Sequence, residues 1–245
     1  MEKLVGQGPL GRTDPMRLAH CLPDKTNARL PVSQDDPFML LAMAGLTAYV
    51  FYVWLGDFWR SGMGQPDPRA FPGATACSTA AIVVAVAGAL VLLALETAGE
   101  YVLGVSGQQS NITALYLLAM VGAAFGEELV FRGFFVVSSH GRLALIGSII
   151  GFSMLFALAH PFLWDWKSAG AGLPNQFIFD FSRKACWSTA MVFLFSFWLY
   201  AMRFPLRYPK LNPQQSLWPC IAAHLAKNLG VFAIKLMQGH VSGWW

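Results

Sequence analysis

Long apolar segments alternate with shorter polar segments along most of the chain. Six of them, at 38–55, 76–98, 113–131, 143–160, 186–202 and 217–237, are predominantly apolar over 17 to 23 residues. A helix that crosses the ~30 Å hydrocarbon core of a bilayer needs about 20 such residues. Each segment is therefore predicted to be a membrane-spanning helix, and a short apolar piece at 133–137 follows the third.

The composition agrees with this pattern. Of the 245 residues, 56% are hydrophobic and only 12% are charged, whereas a soluble domain is about 45–50% apolar and about 25% charged. A soluble globular protein and a disordered chain are thereby excluded. The net charge of +4 is scattered, and no basic cluster with interleaved aromatic residues suggests a nucleic-acid partner.

The domain organisation follows from the same pattern. Residues 1–37 are polar, with five basic and five acidic side chains, and they contain no apolar core of a signal peptide. We expect a polar N-terminal tail at 1–37 and a multi-helix transmembrane domain at 38–245. The expected location is a bacterial inner membrane with the N-terminus in the cytoplasm, and the lipid bilayer is the first expected partner.

Several polar side chains lie inside the apolar segments, where charges are rare and mark function or paired structure. They are Glu96, Glu127, Glu128, Arg132, His160, His224, Lys227 and Asn228. Glu128 and Arg132 are four residues apart and can pair on one helix face, as can His224 and Asn228. Because an unpaired polar group in lipid costs several kcal/mol, we expect these side chains to face one another around a wet cavity.

The residue types in this cavity indicate a chemistry. A carboxylate beside an imidazole can activate a water molecule, and an imidazole beside an amide can donate two hydrogen bonds to a developing oxyanion. Together they predict a hydrolase active site. The predicted fold class is all-α, a polytopic membrane protein of about 6–8 transmembrane helices that enclose a polar, water-accessible cavity.

Three motifs resemble those of one protein family. The segment Glu127-Glu128-Leu129-Val130-Phe131-Arg132-Gly133 is similar to the EExxFRG motif of the CAAX protease and bacteriocin-processing (CPBP, or Abi) family of intramembrane proteases. Phe156-Ala157-Leu158-Ala159-His160 resembles its FxxxH motif, and His224-Leu225-Ala226-Lys227-Asn228 resembles its HxxxN motif. The motifs occur in the family's order between about residues 115 and 230.

The resemblance implies roles for these residues. Glu127 is expected to be the general base and to activate water together with His160, while His224 and Asn228 form the oxyanion hole. Glu128 and Arg132 are expected to organise the site or to bind substrate. No cofactor is expected. The alternative is one divalent metal such as zinc at Glu127, His160 and His224, since one Glu and two His resemble a catalytic zinc set.

Two function classes stay open. The first is an intramembrane endopeptidase whose partner is a membrane-anchored protein, a protein with a C-terminal sorting signal or a leader peptide. The second is a non-catalytic immunity or scaffold member of the family, or a proton-coupled transporter. We also expect Glu96 to pair with Lys227 or Arg132. The aromatic connection at 161–181 is expected to cap the chamber or to lie in an interfacial aromatic belt.

Overall fold

The computed structural model describes residues 36–65, 67–168 and 175–244, so the predicted N-terminal tail lies almost wholly outside the described residues. Within these ranges the chain forms six α-helices, one π-helix and two strands. The helices are α1 Pro37–Gly62, α2 Thr79–Val102, α3 Tyr116–Glu127, α4 Arg142–Ala159, α5 Arg183–Arg203 and α6 Trp218–Met237. All except α3 are long and apolar enough to cross a membrane. The predicted all-α membrane fold is confirmed.

Three helices begin where a polar side chain satisfies free backbone N–H groups. Asp36 accepts a hydrogen bond from the Phe38 amide at 2.9 Å, just before α1. Ser78 accepts from Ala81 before α2 at 3.1 Å, and Ser182 caps α5 in the same way. These caps place the first residue of each helix within a few residues of the boundary that the apolar pattern predicts.

The third predicted segment differs from a single α-helix. Helix α3 ends at Glu127, and the chain continues as a π-helix over Glu128–Phe134. The π-helix includes the first two residues of the short apolar piece expected at 133–137. The Tyr200 hydroxyl of α5 donates to the Phe131 carbonyl at 2.6 Å and lies 2.8 Å from the Phe135 carbonyl. Because this support comes from another helix, the hydrophobic pattern alone could not predict the π-helix.

Two tryptophans of α5 pack against α2 and donate hydrogen bonds to it. A Cβ atom at Gly88 would lie 2.2 Å from the Trp198 ring, and one at Gly99 would lie 2.1 Å from the Trp187 ring. The indole N–H of Trp198 donates to the Ala85 carbonyl at 3.0 Å, and that of Trp187 donates to the carbonyl of Glu96. The two helices can approach this closely because small residues face the indole rings.

The end of α1 packs into an aromatic cluster. Trp54 is fully buried, with its ring centroid 5.1 Å from that of Trp218 and 5.8 Å from that of Phe125. Its indole N–H donates to the Pro72 carbonyl. The sequence predicts an interfacial anchor at Trp54, Phe58, Trp59 and Arg60, and this prediction is wrong for Trp54, since α3 and α6 cover it.

The connection between α4 and α5 forms a β-hairpin. Strands β1 Trp164–Ser168 and β2 Asn175–Phe179 pair antiparallel, with Trp164 opposite Phe179. In the hairpin, Trp164 stacks on Phe177, and Phe177 meets Phe179 edge-on. In the described part of this connection, regular secondary structure therefore begins four residues after His160.

Candidate active site

A cavity of about 810 Å³ lies between α1, α3 and α6 and reaches the end of α4. The side chains of Glu127, His160, His224 and Asn228 all line it. The structure therefore brings together around one cavity the four residues expected to be catalytic. Elsewhere its walls are mainly apolar side chains of α1, α3 and the π-helix, which include Leu40, Met43, Val50, Leu118 and Leu129.

The two neighbouring glutamates have different surroundings. Glu128 is fully buried, whereas the Glu127 side chain keeps 34% of its surface exposed. They lie at the junction where α3 passes into the π-helix, and consecutive residues there point in different directions around the axis. Glu127 consequently faces the cavity and Glu128 faces the packed interior.

Glu128 belongs to a buried polar network that joins three helical elements. Its Oε1 atom lies 3.1 Å from Arg132 Nη1 and 2.7 Å from His224 Nδ1. Arg132 also donates from Nη2 to the Ser196 hydroxyl of α5 at 2.8 Å. The expected pairing of Glu128 with Arg132 is present, and the network ties the π-helix to both α5 and α6.

Arg132 is enclosed by aromatic rings. Its guanidinium carbon lies 4.4 Å from the Phe156 ring centroid and 5.0 Å from that of Tyr200. The Arg132 side chain is fully buried, and neither it nor Glu128 lines the cavity. Of the two roles implied by the resemblance, this placement favours organisation of the site over direct contact with substrate.

His224 lies between the two glutamates. Its Nδ1 atom contacts Glu128, and its Nε2 atom lies 3.9 Å from Glu127 Oε2. A carboxylate that also pairs with Arg132 accepts hydrogen bonds, so the proton of this contact belongs to His224 Nδ1. The distance to Glu127 is too long for a hydrogen bond, and the Glu127 Oε2 atom is itself buried.

His160 follows the last turn of α4 and caps it. Its Nδ1 atom donates to the Phe156 carbonyl at 2.8 Å, because a carbonyl oxygen can only accept. In the neutral ring this leaves Nε2 with a lone pair. The ring stacks on Phe162 with the centroids 6.0 Å apart and the planes 12° apart. His160 thus caps the helix and also lines the cavity.

Asn228 is one turn beyond His224 on α6. Its Nδ2 atom donates to the Met120 carbonyl of α3 at 2.7 Å. A side-chain amide carries two N–H donors, so one stays available after this bond. The contact fixes the amide against α3 on the same side of the bundle as Glu127.

The zinc alternative concerns Glu127, His160 and His224, which all line the cavity. Among the described residues, no three His, Cys, Asp or Glu side chains are grouped closely enough to hold a metal ion. His224 Nδ1 is engaged by Glu128 and His160 Nδ1 by a backbone carbonyl, which leaves Nε2 as the ring nitrogen that each histidine could offer to a metal. Glu127, His160 and His224 share a cavity without converging on one point as zinc ligands do.

A second polar cluster lies between α2, α5 and α6. Glu96 forms an ion pair with Lys227 at 2.9 Å, which settles the expected choice between Lys227 and Arg132. Glu100, near the end of α2, is buried and pairs with Lys184 in the first turn of α5. Lys227 also lies 4.5 Å from the centroid of the Phe195 ring, and Phe195 packs edge-on against His224.

Sequence reasoning missed two residues that support the site. Ser196 and Tyr200 lie four residues apart on α5, and both face the π-helix, where they contact Arg132 and the Phe131 carbonyl. Their spacing on one helix face was the available signal. Ser and Tyr are common in membrane helices, however, and nothing in the sequence identifies their partners.

Comparison with known proteins agrees with the motifs. Residues 109–230, about half of the chain, match the family model described as type II CAAX prenyl endopeptidase Rce1-like. The matched segment contains Glu127, Arg132, His160, His224 and Asn228. No curated protein and no solved structure matches the chain. The resemblance to the CAAX protease and bacteriocin-processing family is thereby confirmed.

Proposed function

The chain belongs to the Rce1-like family of membrane proteases, and we propose that it is a glutamate-dependent intramembrane endopeptidase in which Glu127 activates the attacking water. Glu127 takes a proton from water as the oxygen attacks the peptide carbonyl carbon. The proton then passes to the leaving amine nitrogen as the C–N bond breaks. Glu127 returns to its ionised form at the end of this sequence.

The proposal depends on the different surroundings of Glu127 and Glu128. Glu128 is occupied by Arg132 and His224 in the protein interior. In contrast, the Glu127 side chain keeps 34% of its surface exposed and lines the cavity, whereas Glu128 is fully buried and does not line it. A general base needs an oxygen that is free to contact water, and a base that is already paired cannot take a proton easily. Glu127 meets this requirement and Glu128 does not.

His160 is suited to accept a second hydrogen bond from the attacking water. The Phe156 carbonyl fixes the proton on Nδ1, so the neutral ring offers Nε2 as an acceptor. Stacking on Phe162 keeps the plane of the ring fixed. A water that donates one hydrogen bond to Glu127 and one to His160 would present an oxygen lone pair to the substrate carbonyl.

His224 and Asn228 are suited to stabilise the oxyanion. The second N–H of Asn228 stays available after the bond to Met120. Since His224 Nδ1 donates to Glu128, donation to an oxyanion also requires a proton on Nε2. Two donors aimed at one oxygen contribute several kcal/mol to such a transition state.

The shape of the cavity supports an apolar, membrane-anchored substrate. Side chains of α1 and α3 line most of it, and the polar groups occupy one part only. An apolar segment of a substrate could lie against α1 while the adjacent peptide bond reaches Glu127. A membrane-anchored protein, a protein with a C-terminal sorting signal and a leader peptide all have an apolar segment of this kind.

Glu127→Gln is the direct test. The variant keeps the size of the side chain and removes the base, so cleavage should fall by about 10²–10⁴-fold. The measurement is the accumulation of uncleaved precursors in the membrane proteome of cells that carry only this variant. Asp67→Asn, the same chemical change in an exposed loop, is the matched control. Unchanged processing in cells with a normal amount of the Glu127→Gln protein would disprove the proposal.

A further inference from the structure

We propose that the hairpin between α4 and α5 binds the lipid headgroup interface of the membrane through an aromatic face. This aromatic face consists of Phe162, Trp164, Phe177, Phe179 and Phe181. Trp and Phe side chains concentrate at membrane interfaces because their rings are apolar and yet tolerate the polar headgroup region. The ligand is thus the bilayer interface itself.

The register of the hairpin separates its two faces. Trp164 pairs with Phe179, so both lie on the same face, and Phe177 shares that face because strand residues alternate. Asp165, Gln176 and Ile178 lie on the opposite face. One face is therefore aromatic and the other is largely polar, as expected for an element that lies flat at the boundary between lipid and water.

The aromatic rings form a continuous and exposed stack. Trp164 stacks on Phe177 with centroids 5.4 Å apart, Phe177 meets Phe179 edge-on at 5.0 Å, and Phe179 stacks on Phe181 at 6.0 Å. Phe179 keeps 63% of its surface exposed and Phe181 keeps 73%. An isolated two-stranded hairpin is only marginally stable in water. Contact with the interface would bury these rings and stabilise the hairpin.

The position of the hairpin in the chain brings it to the membrane surface. It connects the end of α4 to the start of α5, and both helices are long and apolar enough to cross the bilayer. Leu155 and Leu158 of α4 are exposed, and apolar side chains on the outside of a spanning helix are expected to face lipid. Phe162 follows them in sequence and is also exposed. The aromatic face thus follows in sequence an exposed apolar surface that is expected to contact lipid.

The hairpin is coupled to the end of α4, and the importance of this coupling for catalysis rests on the proposed function. The Phe162 amide donates to the His160 carbonyl at 2.8 Å, and the Phe162 ring stacks on the His160 ring. The indole N–H of Trp164 donates to the Leu158 carbonyl at 2.7 Å. Binding of the hairpin to the interface would therefore fix the depth at which His160 meets substrate.

Site-specific fluorine labels can test the contact with lipid without any assay of activity. Trifluoromethylphenylalanine replaces Phe179 in one sample and Gln176, on the opposite face of the same strand, in the other. The full-length protein is reconstituted in vesicles of phosphatidylethanolamine and phosphatidylglycerol. Dissolved oxygen, which concentrates in the bilayer, and a water-soluble nickel chelate are then added separately, and the relaxation of each fluorine signal is measured.

The proposal predicts opposite responses at the two positions. The label at 179 should relax several-fold faster with oxygen and be protected from nickel, whereas the label at 176 should respond mainly to nickel. Equal access of nickel to both labels would place the hairpin in water and overturn the proposal. Protection of position 179 from both agents would also overturn it, because the aromatic face would then pack against protein, either the rest of this chain or a second copy. Neither result depends on whether Glu127 is the base.

Discussion

The Nδ1 atom of His224 lies 2.7 Å from Glu128 Oε1, the oxygen that also pairs with Arg132. One carboxylate oxygen therefore connects α6 to the π-helix and sets the orientation of the imidazole ring. The other ring nitrogen is left to face Glu127 and the cavity.

Glu128→Gln should destabilise the protein far more than Glu127→Gln. Removal of one partner of a buried ion pair leaves the other charge uncompensated and typically costs about 3–5 kcal/mol. Here the residue left behind is Arg132, which is fully buried. Thermal unfolding of both variants in the same detergent measures the difference. If Glu127→Gln proved the less stable of the two, the assignment of Glu128 to the structural network would be wrong.

Ser196→Ala should lower stability by about 1–3 kcal/mol, because it removes an acceptor from the buried Arg132 guanidinium. Ser153→Ala is the matched control, since Ser153 is also fully buried and its hydroxyl has no hydrogen-bond partner among the described residues. This control should be neutral or slightly stabilising. Chemical unfolding in mixed micelles provides the comparison, and equal effects of the two substitutions would contradict the role given to Ser196.

Gly88→Ala should weaken the packing of α2 against α5. The new Cβ would lie 2.2 Å from the Trp198 ring, which must move and lose its hydrogen bond to the Ala85 carbonyl. We expect a loss of about 1–3 kcal/mol. Gly151→Ala, on the exposed side of α4 with no atom within 4 Å of the new Cβ, should instead gain up to about 1 kcal/mol. The unfolding temperatures of the two variants should therefore shift in opposite directions.

Exchange of the charges of Glu96 and Lys227 tests whether this pair acts as a unit. Glu96→Lys and Lys227→Glu should each be strongly destabilising, because each places two like charges together in the interior. The double exchange should recover a substantial part of the lost stability. Expression level and unfolding temperature are the measurements. A double variant no more stable than the weaker single variant would show that the two side chains are not coupled.

Exhaustive removal of divalent metals should leave peptide cleavage unchanged. The expected reaction needs only the side chains in the cavity, and the described residues contain no group of three metal ligands. The measurement is turnover of a membrane-anchored peptide by purified protein after treatment with a strong chelator. Loss of turnover that zinc restores, while other divalent ions do not, would establish the metal-dependent alternative. Unfolding temperature after chelation separates a catalytic metal from a structural one.

Much of the architecture could be predicted from the sequence because a bilayer imposes a length and a composition on every spanning helix. Helices α2, α4, α5 and α6 lie within a few residues of the predicted segments. Trp54 was predicted less well. Its position at the end of an apolar segment suggested an interfacial anchor, but α3 and α6 bury it.

The sequence by itself determined which polar side chains are present at membrane depth, and therefore which residues are candidates for chemistry. This is possible because the cost of an unpaired polar group in lipid is local and does not depend on the fold. Only the tertiary structure decided how they are paired. In it, Glu128 pairs with Arg132 and His224, Glu96 pairs with Lys227, and Glu127 lines the cavity. These choices depend on which helices approach one another, and contacts such as those of Tyr200 and Ser196 with the π-helix come from residues more than 60 positions away.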